Sequence, residues 1–200
     1  KSSMRNDFED VTHLLTHGVE AEYFPGAVLV VGYQGQVVYE AAVGHAALIP
    51  SARRMTVDTV FDLASLTKPI ATATALMLLV ETGRVGLDVP IDTYLDTWCR
   101  PADNTPTLRQ LLSHCSGLPA WRPYYQSIDR TLAPIDQRRA TYAMVHREAL
   151  TSPPGVTVQY SDAGFILLCE VVETVTGMRL DAFCQREIFI PLHLGDMAFR

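Results

Sequence analysis

The sequence predicts an α+β domain in which an antiparallel sheet is packed by helices and joined to a mostly helical region. Three observations carry that reading. Residues 27–44 are two β-rich runs around a turn, an amphipathic helical stretch precedes them, and several helical stretches follow them with no convincing strand in between. The 200 residues are 48% hydrophobic and 19% charged, with a net charge of −6. That balance suits a globular chain with a real core and argues against nucleic acid as a partner.

No apolar run reaches the roughly 18 to 20 residues of a membrane helix, so no membrane span is expected. The polar opening "KSSMRNDFED" lacks the apolar stretch of a signal peptide. The four cysteines, Cys99, Cys115, Cys169 and Cys184, have no CxxC spacing, and two lie in apolar helical stretches where a thiol packs as a small hydrophobe. This favours a reducing, cytoplasmic compartment; the alternative is a periplasmic or secreted protein whose signal has been removed.

Phe8, Val11, Leu15 and Val19 recur at helical spacing and predict a first helix ending near Phe24-Pro25. His13 and His17 share a face of it without further ligands at suitable positions, so no metal is expected. The run "AVLVVGYQGQVVYEAAVG" predicts a hairpin turning at Gln34-Gly35. Its first arm, Val28 to Val31, is apolar at every position, as in strands covered on both faces and flanked by neighbours. A loop with Ser51, Arg53 and Arg54 leads to a helix running from Ser65 to Glu81, stopped at Thr82-Gly83. "TLRQLLSHCSGLP" (107–119) opens with Thr107 and Gln110 as a capping box and closes with Gly117 and Pro119. "TYAMVHREAL" (141–150), "AGFILLCEVVETVTG" (163–177) and "RLDAFCQREIFIPL" (179–192) read as three more helices, with "TSPPG" (151–155) a turn.

One detail in "FDLASLTKPI" (61–70) points to chemistry. Pro69 lacks an N–H, and its ring would collide with the carbonyl of Ser65, so the helix should begin near Ser65. A serine there sits at the positive end of the helix, where a developing oxyanion is stabilised. Lys68, three residues on, lies over the same face. An S-x-x-K match is expected about once by chance in a chain of this length. However, 14 of the 16 basic residues are Arg, and the only lysines are Lys1 and Lys68. Lysine loses its proton on desolvation far more readily than arginine, which suits Lys68 to proton transfer. In "QYSDAGF" (159–165), Tyr160, Ser161 and Asp162 fall between a Pro-Gly turn and an apolar helix. There Ser161 or Asp162 is a natural N-cap, and Tyr160 reads equally as a half-buried aromatic.

Taken in order, "SLTK", "LLSHCSGLP" and "YSD" resemble the serine β-lactamase and penicillin-binding-protein-like family, especially its class C-like β-lactamase, DD-peptidase and family VIII esterase branch. The resemblance implies a β-lactamase/transpeptidase-like fold with no cofactor, acting on a small-molecule acyl substrate. It makes Ser65 the nucleophile of an acyl-enzyme, Lys68 its immediate base and Tyr160 the proton shuttle to the leaving group and the deacylating water. The Ser65 N–H would supply half of an oxyanion hole.

Asp162 departs from the family's more familiar Tyr-x-Asn. A carboxylate only accepts hydrogen bonds, so Asp162 could pair with Lys68 and keep it charged but could not donate to a substrate amide carbonyl. This favours small esters over β-lactams and places Asp162 at the substrate-binding position. The family's third motif, Lys-Thr-Gly or His-x-Gly on a strand, does not follow Asp162. "HLGDM" (193–197) matches His-x-Gly only in a turn-like stretch and reads as a decoy.

The expectation is therefore one β-lactamase-like domain, incomplete at its C-terminal strands. Residues 1–60 would form the first helix and hairpin, 61–180 the nucleophile helix and helical region, and 181–200 a return towards strands beyond Arg200. The activity expected is that of a serine hydrolase. A β-lactamase or D-alanyl-D-alanine carboxypeptidase, and a non-catalytic acyl-binding domain, are the alternatives.

Overall fold

In the computed structural model, which describes residues 8–199, the chain divides between Asp62 and Leu63 into two units. The polar opening through Asp7, with Lys1, lies outside the described residues, as does Arg200.

In the first unit, helix α1 (Glu9–Glu20) carries Glu9 and Asp10 in its first turn, charges that complement the helix dipole. It stops short of Pro25, because Glu22 turns left-handed (φ 58°) and Tyr23 N–H closes onto Gly18 O at 2.9 Å. Strands β1 (Gly26–Tyr33) and β2 (Gln36–Ala47) form the expected antiparallel hairpin. Gln34 (φ 50°) and Gly35 (φ 74°) supply the two left-handed residues that a tight hairpin turn requires. Phe8 stacks on Tyr39 at 4.7 Å, and Thr12 hydrogen-bonds the Tyr39 hydroxyl, which fastens α1 to β2.

The loop expected around Arg53 and Arg54 is instead a two-residue strand, β3 (Arg53–Arg54), paired with β2 at His45 and Ala47. Two residues are too few for alternation to register in sequence. The sheet order is β1-β2-β3, so among the described residues no strand pairs with the outer edge of β1. Val28, Leu29 and Val31 are partly covered, whereas Val30 is 51% exposed, so the expected cover on both faces is incomplete in these residues.

Among the described residues the regular structure of the second unit is helical, apart from an isolated bridge between Pro90 and Thr107. The stretch 65–81 is not one regular helix. It opens with a 3₁₀ turn (Ala64–Leu66), widens to a π-type stretch (Lys68–Ala73) and becomes regular in α2 (Thr74–Glu81). Pro69 is the physical reason, since a residue without an N–H and with a bulky ring cannot continue the i→i−4 ladder, and the turns around it re-register. Gly83 (φ 69°) caps α2 as expected.

Helix α3 (Leu108–Leu112) has the predicted capping box, with Gln110 N–H on Thr107 Oγ1 at 3.2 Å and Thr107 N–H on Gln110 Oε1 at 2.9 Å. Helix α4 (Pro134–His146) starts earlier than the expected Thr141 and ends at His146. Its first turns are polar and gave no apolar stripe, although Pro134 is a natural first-turn residue. Helix α5 (Asp162–Thr176) takes Ser161 as N-cap and Gly177 (φ 68°) as C-cap. The last predicted helix is short: α6 (Leu180–Cys184) passes into a π-type turn, Gln185–Phe189.

Helix α5 presents Leu167, Leu168, Val171 and Val172 in one stripe, all fully buried against Leu76, Leu79, Leu108 and Leu111. Burying each such leucine contributes about 2 kcal/mol.

The loop after α3 serves as a cradle for the segment that leads into α5. Gly117 O accepts from Thr151 N–H (2.8 Å), Cys115 O from Gly155 N–H (2.7 Å), His114 O from Gln159 N–H (2.8 Å) and Ala120 O from Asp162 N–H (2.8 Å). Gly117 is required there: its φ is 78°, and a Cβ would lie 2.0 Å from Ser152 O. Gly117→Ala should therefore cost at least about 2 kcal/mol, read as a lower denaturant midpoint in the full-length protein. A change below about 0.5 kcal/mol would mean the cradle can open freely.

Candidate active site

Two stretches distant in sequence deliver the predicted residues to one place. Ser65 lies in the 3₁₀ turn, directly after Ala64, whose φ of 44° is rare for a residue other than glycine. Lys68 opens the π-type stretch. Tyr160 ends the extended segment on the cradle, and Asp162 is the first residue of α5. The Lys68 ammonium donates to Ser65 Oγ at 3.3 Å and to Asp162 Oδ1 at 2.7 Å. It also stands 4.9 Å from the Tyr160 ring centroid and 5.7 Å from that of Phe165. The four residues singled out in the sequence are thus within reach of one ammonium group.

The cap question is settled in favour of Ser161. Its hydroxyl accepts from Gly164 N–H (3.1 Å) and donates to Pro119 O (2.7 Å), which leaves the Asp162 carboxylate for Lys68. Tyr160 is half exposed, as the half-buried reading of its side chain also has it.

The electrostatics follow from this arrangement. Burial is the largest influence on Lys68 and lowers its pKa, but the Asp162 carboxylate and the Tyr160 hydroxyl together outweigh it and raise the pKa above 10.5. The Tyr160 phenol moves the other way, below its usual 10, chiefly through its hydrogen bonds with Lys68 and then with Ser65. Each group is among the causes of the other's shift, so Lys68 and Tyr160 influence each other's proton.

A cleft of about 450 Å³ opens on this cluster, walled by Leu63, Leu66, Leu112 and Phe165 around Ser65 and Lys68. Apolar walls around a few convergent polar groups are what small-molecule sites present. His193 does not line it, in keeping with "HLGDM" as a turn; His193 itself is left-handed (φ 56°). Among the described residues no group of three or more His, Cys, Asp or Glu side chains is placed to hold a metal, and no helix is long and apolar enough to cross a membrane.

Two contributors were not singled out in the sequence. Phe165 was read only as one more apolar residue of α5. His114 lies inside "LLSHCSGLP", yet a histidine in a helix-ending loop carries no periodic signal, and the expected helix end lay at Gly117.

The β-lactamase family model matches residues 11–200. The N-acetylmuramyl-L-alanine amidase of Bacillus subtilis (strain 168) is 33% identical over 86% of this chain and 42% of its own length. The octameric penicillin-binding protein homologue from Pyrococcus abyssi superposes with a TM-score of 0.78 at 25% identity, over 94% of this chain and 43% of its own. EstCE1, a hydrolase with promiscuous acyltransferase activity, gives a TM-score of 0.75 at 26% identity, over 92% of this chain and 50% of its own. The chain thus spans about half the length of the proteins it matches.

Proposed function

Because the chain belongs to the β-lactamase family, whose relatives here are hydrolases, we propose that it is the nucleophile-bearing part of a serine hydrolase that forms an acyl-enzyme on small esters or related acyl substrates. The observation that carries this reading is the Lys68 ammonium lodged between Ser65 Oγ and Asp162 beneath the Tyr160 ring.

In the reaction proposed, the ionised Tyr160 oxygen takes the Ser65 proton as Oγ attacks the acyl carbonyl. Lys68 keeps its own proton and steadies the phenolate. The oxyanion of the tetrahedral intermediate meets the positive start of the 65–73 segment, where the Ser65 N–H lies. Collapse breaks the bond to the leaving group, which departs with the proton from Tyr160, and Ser65 retains the acyl group. A water molecule then attacks the acyl carbonyl as Tyr160 takes its proton; collapse breaks the bond to Ser65 Oγ, which receives that proton back from Tyr160 as the acid is released. The base is thus the Lys68–Tyr160 pair, with the tyrosine accepting, in place of a neutral Lys68.

Asp162 sets the selectivity in this reading. With its carboxylate on Lys68 it presents only acceptor oxygens, so a substrate amide carbonyl finds no donor there. The amidase among the relatives and EstCE1, a hydrolase with promiscuous acyltransferase activity, bring amides and other acyl substrates into consideration. Asp162→Asn in the full-length protein should therefore raise acylation by a penicillin relative to a p-nitrophenyl ester by about tenfold, the worth of one added hydrogen bond. An unchanged ratio would remove Asp162 from substrate choice and leave it as the partner of Lys68 alone.

A further inference from the structure

Helix α3 ends in a motif that normally takes glycine. Cys115 N–H bonds to Gln110 O at 2.7 Å and His114 N–H to Leu111 O at 3.1 Å, which puts His114 in the left-handed region at φ 59°. A side chain with a Cβ costs about 1 kcal/mol there relative to glycine. The imidazole has contacts that account for its presence. Its Nδ1 lies 3.0 Å from Ser161 N–H, its ring packs 4.4 Å from the Tyr160 ring and 5.2 Å from that of Phe165, and its own carbonyl holds Gln159 N–H. Tyr160 is therefore held from both sides in the chain by one residue, while the ring of that residue backs its own.

The hydrogen bond also assigns the proton. Ser161 N–H can only donate, so Nδ1 must be unprotonated, and the neutral ring carries its hydrogen on Nε2. Protonation would set an N–H of the ring against the N–H of Ser161. It would also add a second cation beside Lys68.

Resting on the reading of Ser65 and Tyr160 as the reacting pair, we propose that His114 is the positioning residue of the site: as the neutral Nε2–H tautomer it fixes Tyr160 over Lys68 and Ser65, and its protonation releases Tyr160 and shuts the site down in mild acid. The groups facing His114 are the Lys68 ammonium, the Asp162 carboxylate and the Tyr160 phenol. Burial first and Lys68 second lower its pKa below 6.5, and Asp162 opposes them. The neutral, competent form thus prevails above that pKa, and reactivity falls as pH drops through it.

The test compares wild type, His114→Asn and His114→Ala in the full-length protein by the rate at which a fluorophosphonate labels Ser65 between about pH 4.5 and 9, spanning the usual histidine value. Asparagine tolerates the left-handed backbone and its Oδ1 can accept from Ser161 N–H, but it does not titrate. The alanine variant should label about tenfold more slowly at neutral pH, asparagine should recover most of that loss, and both should keep only the fall that Tyr160 titration gives, without the extra drop in mild acid that wild type shows. An acid limb in His114→Asn as steep as that of wild type, or an alanine variant as fast as wild type, would overturn the proposal. Ring ¹⁵N shifts of His114 provide a readout independent of reactivity. An unprotonated Nδ1 at neutral pH is expected, and a protonated one overturns the proposal even if no label forms. Absence of label in wild type would count against the hydrolase reading itself.

Discussion

Lys68→Arg is expected to slow acyl-enzyme formation about 10³-fold although it preserves the charge. The slot occupied by Lys68 is built for a compact ammonium: Nζ reaches Asp162 Oδ1 at 2.7 Å and Ser65 Oγ at 3.3 Å, with two aromatic rings alongside and 16% of the side chain exposed. A planar guanidinium is longer, prefers a bidentate grip on Asp162 and cannot meet Ser65 and Tyr160 from one point. The nucleophile and its base would then lose their alignment, an error that costs orders of magnitude in rate. The acylation rate with a p-nitrophenyl ester in the full-length protein is the measurement. Retention within tenfold of wild type would show that a positive charge alone suffices and that the proposed geometry is not what matters.

Tyr160→Phe should lower acylation by about 10²- to 10⁴-fold, the span usual for a general acid/base group. Phenylalanine keeps the ring against His114 and over Lys68 and removes only the hydroxyl. The pH profile provides a second signature. Because Lys68 and Ser65 lower the phenol's pKa below 10, the ionised base grows as pH rises through that value, and the wild-type rate should climb with it. The variant should lose the climb. A rate within fivefold of wild type, with the alkaline rise intact, would assign proton transfer to another group.

The sequence revealed more of the site than of the backbone that holds it. Ser65 and Lys68 stood out locally, because Pro69 fixes the start of a helix and a lone interior lysine stands among arginines, whereas Tyr160 and Asp162 came from the resemblance carried by "SLTK", "LLSHCSGLP" and "YSD" in order. The hairpin was legible from its two β-rich runs and from Gln34-Gly35, two residues that accept a left-handed backbone. The strand Arg53–Arg54 was not, being shorter than any periodic signal. The π-type stretch after Lys68 was hidden for another reason: its composition is helical, and only the re-registration forced by Pro69 distinguishes it from regular helix. The cradle of residues 114–120 was hidden because its hydrogen bonds are made by backbone atoms to a segment some forty residues away, and backbone pairing of irregular loops leaves little trace in side-chain pattern.

The most direct test of the central claim is the site of covalent capture. The full-length protein should be incubated with a fluorophosphonate, digested and mapped by mass spectrometry. A single adduct on Ser65, absent from Ser65→Ala and strongly reduced in Tyr160→Phe, is the predicted result. An adduct on a different serine, or equal labelling of Ser65→Ala, would contradict the assignment of Ser65 as the nucleophile.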